Sequence, residues 1–161
     1  IGALNTITLG NEIRGYNTDA GGFQDALLPF LTPAHHQALV LGTGGAARAI
    51  HYALEKLEIR SQAVSRSPAP GQMSYEKAST VLPRYPIVVQ CTPQGTFPQI
   101  EQLPPLDLEL LSEHHLVFDL IYNPPETAFL KMAREKGATI LNGKPMLIAQ
   151  AERSWALWQE S

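Results

Sequence analysis

The stretch Gly42-Thr43-Gly44-Gly45-Ala46-Ala47 has the residue types and spacing that most directly imply chemistry. It follows the apolar run Ala38 to Leu41 and precedes Ala49, Ile50, Ala53, Leu54 and Leu57, which fall on one side of a helix. A G-x-G-x-x-A pattern between a strand and a helix makes a pyrophosphate cradle. Gly42 permits the tight turn, Gly44 lets the backbone approach the phosphates, and Ala47 lets the helix lie close to the strand. The helix start that Gly45 and Ala46 open offers unpaired N–H groups and partial positive charge. The end of the next strand, roughly 20 residues on, selects the nucleotide. There the chain reads Val64-Ser65-Arg66-Ser67. An acidic residue would accept from the ribose hydroxyls of NAD, whereas a guanidinium flanked by the Ser65 and Ser67 hydroxyls suits the 2′-phosphate of NADP. Arg66 therefore predicts NADP.

The elements that must position these residues alternate. Short apolar runs at Ala38 to Leu41, Gln62 to Val64, Ile87 to Gln90, Leu116 to Leu120 and Thr139 to Leu141 are separated by helical patterns. Those patterns run to about Leu57, near Tyr75 to Leu82, over Pro125 to Lys136, and from about Met146 to Trp158. This βαβ order predicts an α/β fold, a doubly wound Rossmann-type parallel sheet with helices on both faces. Ahead of it, Asn5 to Leu9 and Glu12 to Tyr16 meet at Gly10-Asn11 and read as a hairpin. Phe23, Ala26, Leu27, Phe30 and Leu31 then mark a connecting helix, with Asp19 placed to cap it and Pro33 to close it.

Composition narrows the function. The 161 residues carry a net charge of −3, which gives no broad positive field for nucleic acid or an anionic membrane. No apolar run reaches the roughly 20 residues of a bilayer span. The single cysteine, Cys91, excludes an intrachain disulfide framework, and a cytoplasmic enzyme acting on a small molecule is the default expectation. The adjacent pairs His35-His36 and His114-His115 point in different directions and make no metal site, so they are expected at the surface. Trp155 and Trp158 are expected to pack the last helix against the core.

Further motifs agree in order: Gly2-Ala3-Leu4-Asn5-Thr6, Gly15-Tyr16-Asn17-Thr18-Asp19, Asp119-Leu120-Ile121-Tyr122-Asn123-Pro124, and Asn142-Gly143 with Met146-Leu147 and Gln150-Ala151. With the glycine loop, they make the chain resemble the shikimate dehydrogenases over nearly its whole length. The resemblance implies NADP-dependent, reversible reduction of 3-dehydroshikimate in aromatic amino acid biosynthesis. It implies Asp19 as catalytic acid-base, paired with a lysine that no segment here matches, and Asn5 and Gln150 as amides holding substrate hydroxyls. It places Tyr122 at the substrate, and Thr92-Pro93, Gly143 and Met146 along the cofactor. Residues 1–17 would be a remnant of an N-terminal substrate domain, residues 18–142 the connecting helix and NADP-binding domain, and residues 143–161 a helix facing the substrate cleft. The chain then begins inside a longer protein and is expected to bind cofactor better than it turns over substrate. Its hairpin is expected to be mobile or to pair with another molecule's edge, which would make a homodimer.

The chain also departs from the family. Ser65-Arg66-Ser67-Pro68-Ala69-Pro70 lacks the second basic residue usual for NADP, which leaves room for NAD. Pro145 replaces a glycine beside the expected nicotinamide position, and Thr96 stands where methionine is frequent. A quinate-type substrate, or a non-catalytic dinucleotide-binding module, are the competing readings.

Overall fold

The computed structural model describes residues 1–10 and 12–160. Five strands form one parallel sheet: β3 (Gln37–Leu41), β4 (Arg60–Val64), β5 (Ile87–Gln90), β6 (Leu116–Asp119) and β7 (Thr139–Leu141). Their order is β4-β3-β5-β6-β7, so the direction of winding reverses between β3 and β5. In open parallel sheets ligands gather at such a reversal, beyond the carboxyl ends of the strands. The glycine loop leaves β3 at that point.

Alternation along the strands divides the core into two layers. Ala38, Val40, Ile87, Val89, Leu116 and Phe118 face one layer, covered by α1 (Asp19–Leu27), α2 (Gly45–Lys56) and α5 (Lys144–Gln159). Phe23 of α1 meets Phe118 edge-on at 5.0 Å. Leu39, Leu41, Val88 and Val117 face the other layer, covered by α3 (Tyr75–Val81) and α4 (Ala128–Glu135). Central strands buried on both faces carry no polar alternation, which is why they read as continuous apolar runs.

The helix starts differ from expectation in two places. Thr18, not Asp19, occupies the cap position of α1, and Asn17 Oδ1 accepts from Ala20 N at 3.1 Å. The Asp19 carboxylate is thereby released from capping. Helix α4 begins at Ala128, not Pro125, because Thr127 Oγ1 accepts from Leu130 N and fixes the start there.

The hairpin, β1 (Thr6–Leu9) with β2 (Ile13–Tyr16), pairs Thr6 with Tyr16 and Leu9 with Ile13; Asn11 of its expected turn lies outside the described residues. Thr6 and Thr8 are buried, while Ile7, Leu9 and Ile13 are exposed. Thr6 Oγ1 lies 2.7 Å from Ser154 Oγ, and Trp158 Nε1 donates to Ile7 O at 3.0 Å, so the hairpin is docked on α5. Trp155 and Trp158 are 62% and 50% exposed, contrary to the core role expected of them. The inward face of α5 is narrow, with only Met146 and Ser154 fully buried, and both tryptophans fall beside it. His115 is also buried, against expectation: Nδ1 accepts from Ser112 N and Nε2 donates to Leu82 O, which satisfies both ring nitrogens in the core. Among the described residues no helix is long and apolar enough to cross a membrane, and no cluster of three metal-ligating side chains is present.

Candidate active site and nucleotide cleft

Gly42 sits at φ +111°, in the left-handed half of backbone space, and its N–H donates to Val64 O at 2.9 Å. A Cβ there would stand 3.1 Å from Thr92 Cγ2, so both conformation and space require glycine. This hydrogen bond ties the glycine loop to the end of β4, where Ser65, Arg66 and Ser67 follow. Gly44 then caps α2 in an extended conformation without a side chain. The helix's own bonding begins with Arg48 N to Gly44 O, leaving the N–H groups of Gly45, Ala46 and Ala47 without helical acceptors.

A cleft of about 390 Å³ opens over this turn. It brings together Gly42, Gly44, Ser65, Arg66, Ser67, Thr92 and Pro93 from among the sequence-predicted residues, and adds Tyr75 and Cys91. Thr92 is held by Gln90, whose Oε1 accepts from Thr92 N at 3.2 Å and from Thr92 Oγ1 at 3.0 Å. Burial, with a further push from Asp119, raises the pKa of the Cys91 thiol well above its usual range, so it is no thiolate. Free helical donors, a side-chain-free turn and a guanidinium between hydroxyls form a donor set that fits a phosphorylated dinucleotide. Gly45 and Ala47 do not line the cleft: Gly45 opens α2 beside Ala3, and Ala47 is buried beneath it.

A second cavity of about 320 Å³ lies on the other side of the α2 start. Asn5, Asp19, Ala46, Tyr122, Gly143, Met146 and Gln150 line it together with Leu120 and Leu147. These residues come from the hairpin, α1, α2, the segment after β6, and α5. Asn5 Nδ2 donates to Asp19 Oδ1 and to Thr18 Oγ1, each at 2.9 Å, and lies 3.3 Å from Gln150 Oε1. Thr18 N donates back to Asn5 Oδ1 at 2.9 Å, which fixes the amide's orientation. Burial pushes the Asp19 carboxyl pKa up, and the Asn5 bond draws it partly back. Such a carboxyl holds a proton more readily than a solvated one and still faces a cavity, as proton exchange with a bound hydroxyl requires.

Close approach of backbones assembles this cavity. A Cβ on Gly22 would stand 2.9 Å from both Gln150 N and Met146 O, so this glycine lets α5 lie directly on α1. A Cβ on Gly143 would overlap Leu120 O, which lets the start of α5 touch the end of β6. Pro145 falls in the first turn of α5, where a missing N–H costs the helix nothing. Sequence reasoning missed Gly22, Thr18, Ser154 and Tyr75. The signal for Gly22 was a Gly-Gly pair inside a helix, a costly choice unless something must come close.

Fold and clefts define a doubly wound domain whose glycine turn has the donor set for a dinucleotide, with a carboxylate and two amides gathered in a second cavity beside it. No family model matches the chain. A shikimate dehydrogenase (NADP(+)) of Clostridium botulinum is 37% identical over 98% of this chain and 65% of that protein, so the chain spans 65% of that relative's length. The solved shikimate 5-dehydrogenase of Thermus thermophilus, in complex with NADP(H) and shikimate, matches 99% of this chain and 63% of its own at 33% identity and a TM-score of 0.84. A quinate dehydrogenase from Corynebacterium glutamicum in complex with NAD covers the same 99% at 27% identity and a TM-score of 0.85. Over nearly its whole length the chain is similar to shikimate dehydrogenases.

Proposed function

We propose that this chain is the nucleotide-binding part of an NADP-dependent shikimate dehydrogenase, interconverting 3-dehydroshikimate and shikimate. The observation that carries the reading is that two cavities flank the start of α2, one lined by Gly44 and the other by Ala46. The former holds the glycine turn and Arg66, and the latter the Asn5, Asp19 and Gln150 cluster. In this reading the Gly42-to-Gly44 turn, at the positive end of α2, holds the pyrophosphate, and Arg66 with Ser65 and Ser67 holds the 2′-phosphate. Thr92, Pro93, Gly143 and Met146 border the nicotinamide, which when bound supplies or accepts the hydride. Asp19 exchanges the proton at the reacting oxygen. Asn5 and Gln150 orient the substrate hydroxyls and Tyr122 closes the cavity, since each buried hydroxyl left unpaired costs about 1 to 3 kcal/mol.

The lysine that the resemblance pairs with Asp19 is assigned to the part of the longer relatives that this chain does not match. Residues 1–17 then belong with the substrate side, 18–142 with the nucleotide domain, and 143–161 with the helix facing the substrate. The setting proposed is the cytoplasm. The exposed Ile7, Leu9 and Ile13 of the hairpin favour association of two copies, which sedimentation at graded concentration tests.

Calorimetry of the folded chain tests the nucleotide half: NADP+ is expected to bind more tightly than NAD+, and failure of both to bind refutes the assignment. Shikimate added to the NADP+-loaded chain is expected to shift the side-chain amide resonances of Asn5 and Gln150. Quinate as substrate is the second reading, favoured by the quinate dehydrogenase likeness. Larger shifts with quinate than with shikimate would favour it.

A further inference from the structure

The NADP reading leaves one contact unfilled. A 2′-phosphate is dianionic near neutral pH and takes several charge-assisted bonds, yet the run after Arg66 is Ser67-Pro68-Ala69-Pro70, with no second cation. The chain that follows is folded back onto β4. Gln62 Nε2 donates to Gly71 O at 2.7 Å, Met73 N to Ala63 O at 2.9 Å, and Ser65 N to Met73 O at 2.9 Å. These bonds cover the free edge of β4 and bring residues 71–73 alongside its carboxyl end. Ser74 then caps α3, its hydroxyl accepting from Lys77 N, and the first helical residue is Tyr75. The pinned return thus delivers an aromatic side chain to the same cleft that Arg66 lines.

Tyr75 is only 7% exposed and belongs to the buried cluster that holds Leu39, Leu41 and Val64. Its hydroxyl makes no hydrogen bond among the described residues, yet it is not among the polar atoms sealed from solvent. The hydroxyl is therefore an uncommitted, solvent-accessible donor on a residue that lines the cleft. Burial pushes its pKa up and Arg66 draws it partly back, so the phenol stays neutral and able to donate.

Resting on the nucleotide reading above, we propose that Tyr75 is a specificity-determining residue whose hydroxyl joins Arg66 in holding the 2′-phosphate and so supplies the contact that a second basic residue would make. A neutral donor on a fixed ring discriminates by position, because the ring cannot swing aside when the phosphate is absent.

The test is calorimetric titration of the full chain and its Tyr75→Phe variant with NADP+, NAD+ and 2′,5′-ADP. The variant is expected to lose about tenfold in affinity for NADP+ and 2′,5′-ADP, and less than about twofold for NAD+. If the wild type binds NADP+ and the variant's preference for NADP+ over NAD+ is unchanged, the Tyr75 assignment is overturned while the nucleotide reading stands. If the wild type binds neither nucleotide, both fall. Wild-type protein labelled with 13C at tyrosine rings gives an answer independent of the variant's folding: 2′,5′-ADP must shift one ring resonance that 5′-AMP leaves in place. Equal shifts with both ligands overturn the proposal.

Discussion

Asp119 carries a stability penalty that the pH dependence of unfolding can read. It ends β6, is fully buried, and its carboxyl is pushed up to about 6 by burial from an ordinary value of 3.8, despite bonds from Thr127 Oγ1 at 2.7 Å and Ile121 N at 3.0 Å. The folded value lies above the unfolded one, so the contribution is fully present below about 3.8 and is lost as pH rises through about 6. A rise of that size corresponds to ~3 kcal/mol, of which ~2 kcal/mol falls between pH 4.5 and 7. In Asp119→Asn the titration disappears. An amide cannot serve both Thr127 and Ile121 as acceptor, so the variant carries a constant cost of about 1 to 3 kcal/mol for one lost or misdirected bond. Urea unfolding followed by circular dichroism at pH 4.5 and pH 7 is the assay, with the denaturant slope checked for constancy. The wild type is expected to lose its advantage over the variant by ~2 kcal/mol on going to pH 7. A difference that stays within about 0.5 kcal/mol across the window would refute the reasoning, because it would mean that Asp119 ionises as easily folded as unfolded.

Three further outcomes are expected. Gly22→Ala gains ~1 kcal/mol of helix propensity but meets the Gln150 and Met146 backbones, so thermal unfolding should show a net loss of about 1 to 3 kcal/mol; a raised melting temperature would show that α1 and α5 are not in contact. Glu58 holds φ +58° at the end of α2, and Glu58→Gly should stabilise by up to ~1 kcal/mol in the same assay, with no gain counting against the strained backbone. Arg66→Ala should weaken NADP+ by at least about tenfold and leave NAD+ nearly unchanged, and an equal loss for both would move the guanidinium off the 2′-phosphate.

What was legible in the sequence was what periodicity and local chemistry control. The strand Ile87 to Gln90 stands at its expected bounds because a strand buried on both faces leaves an unbroken apolar run. The glycine turn stands as expected because φ +111° at Gly42 allows little else. What failed was what only tertiary contact decides. Trp155 and Trp158 look like core residues by composition, yet the side of α5 that faces inward is set by Gly22 on α1 and Gly143 against Leu120, positions far apart in the chain. Asp19 looked like a cap because it opens the helix, but Asn17 and Thr18 take the backbone work.

That division explains how the candidate site is built. A carboxylate committed to a helix cap would have its lone pairs held by backbone N–H groups, which would lower its pKa and turn it away from solvent. Moving the cap back by one residue leaves Asp19 with one amide donor, Asn5, and a pKa raised by burial. The same Asn5 touches Thr18, which bonds through Ser154 to the inward face of α5. The position of Gln150 is thus coupled to the orientation of the amide that tunes Asp19. Backbone contact at Gly22 sets the distance between α1 and α5, and the hydroxyls of Thr6, Thr18 and Ser154 fill the space that this contact leaves. Motif spacing reveals residues that line the two cavities, whereas the residues that hold them there are small, polar and scattered, and acquire meaning only when α5 lies on α1.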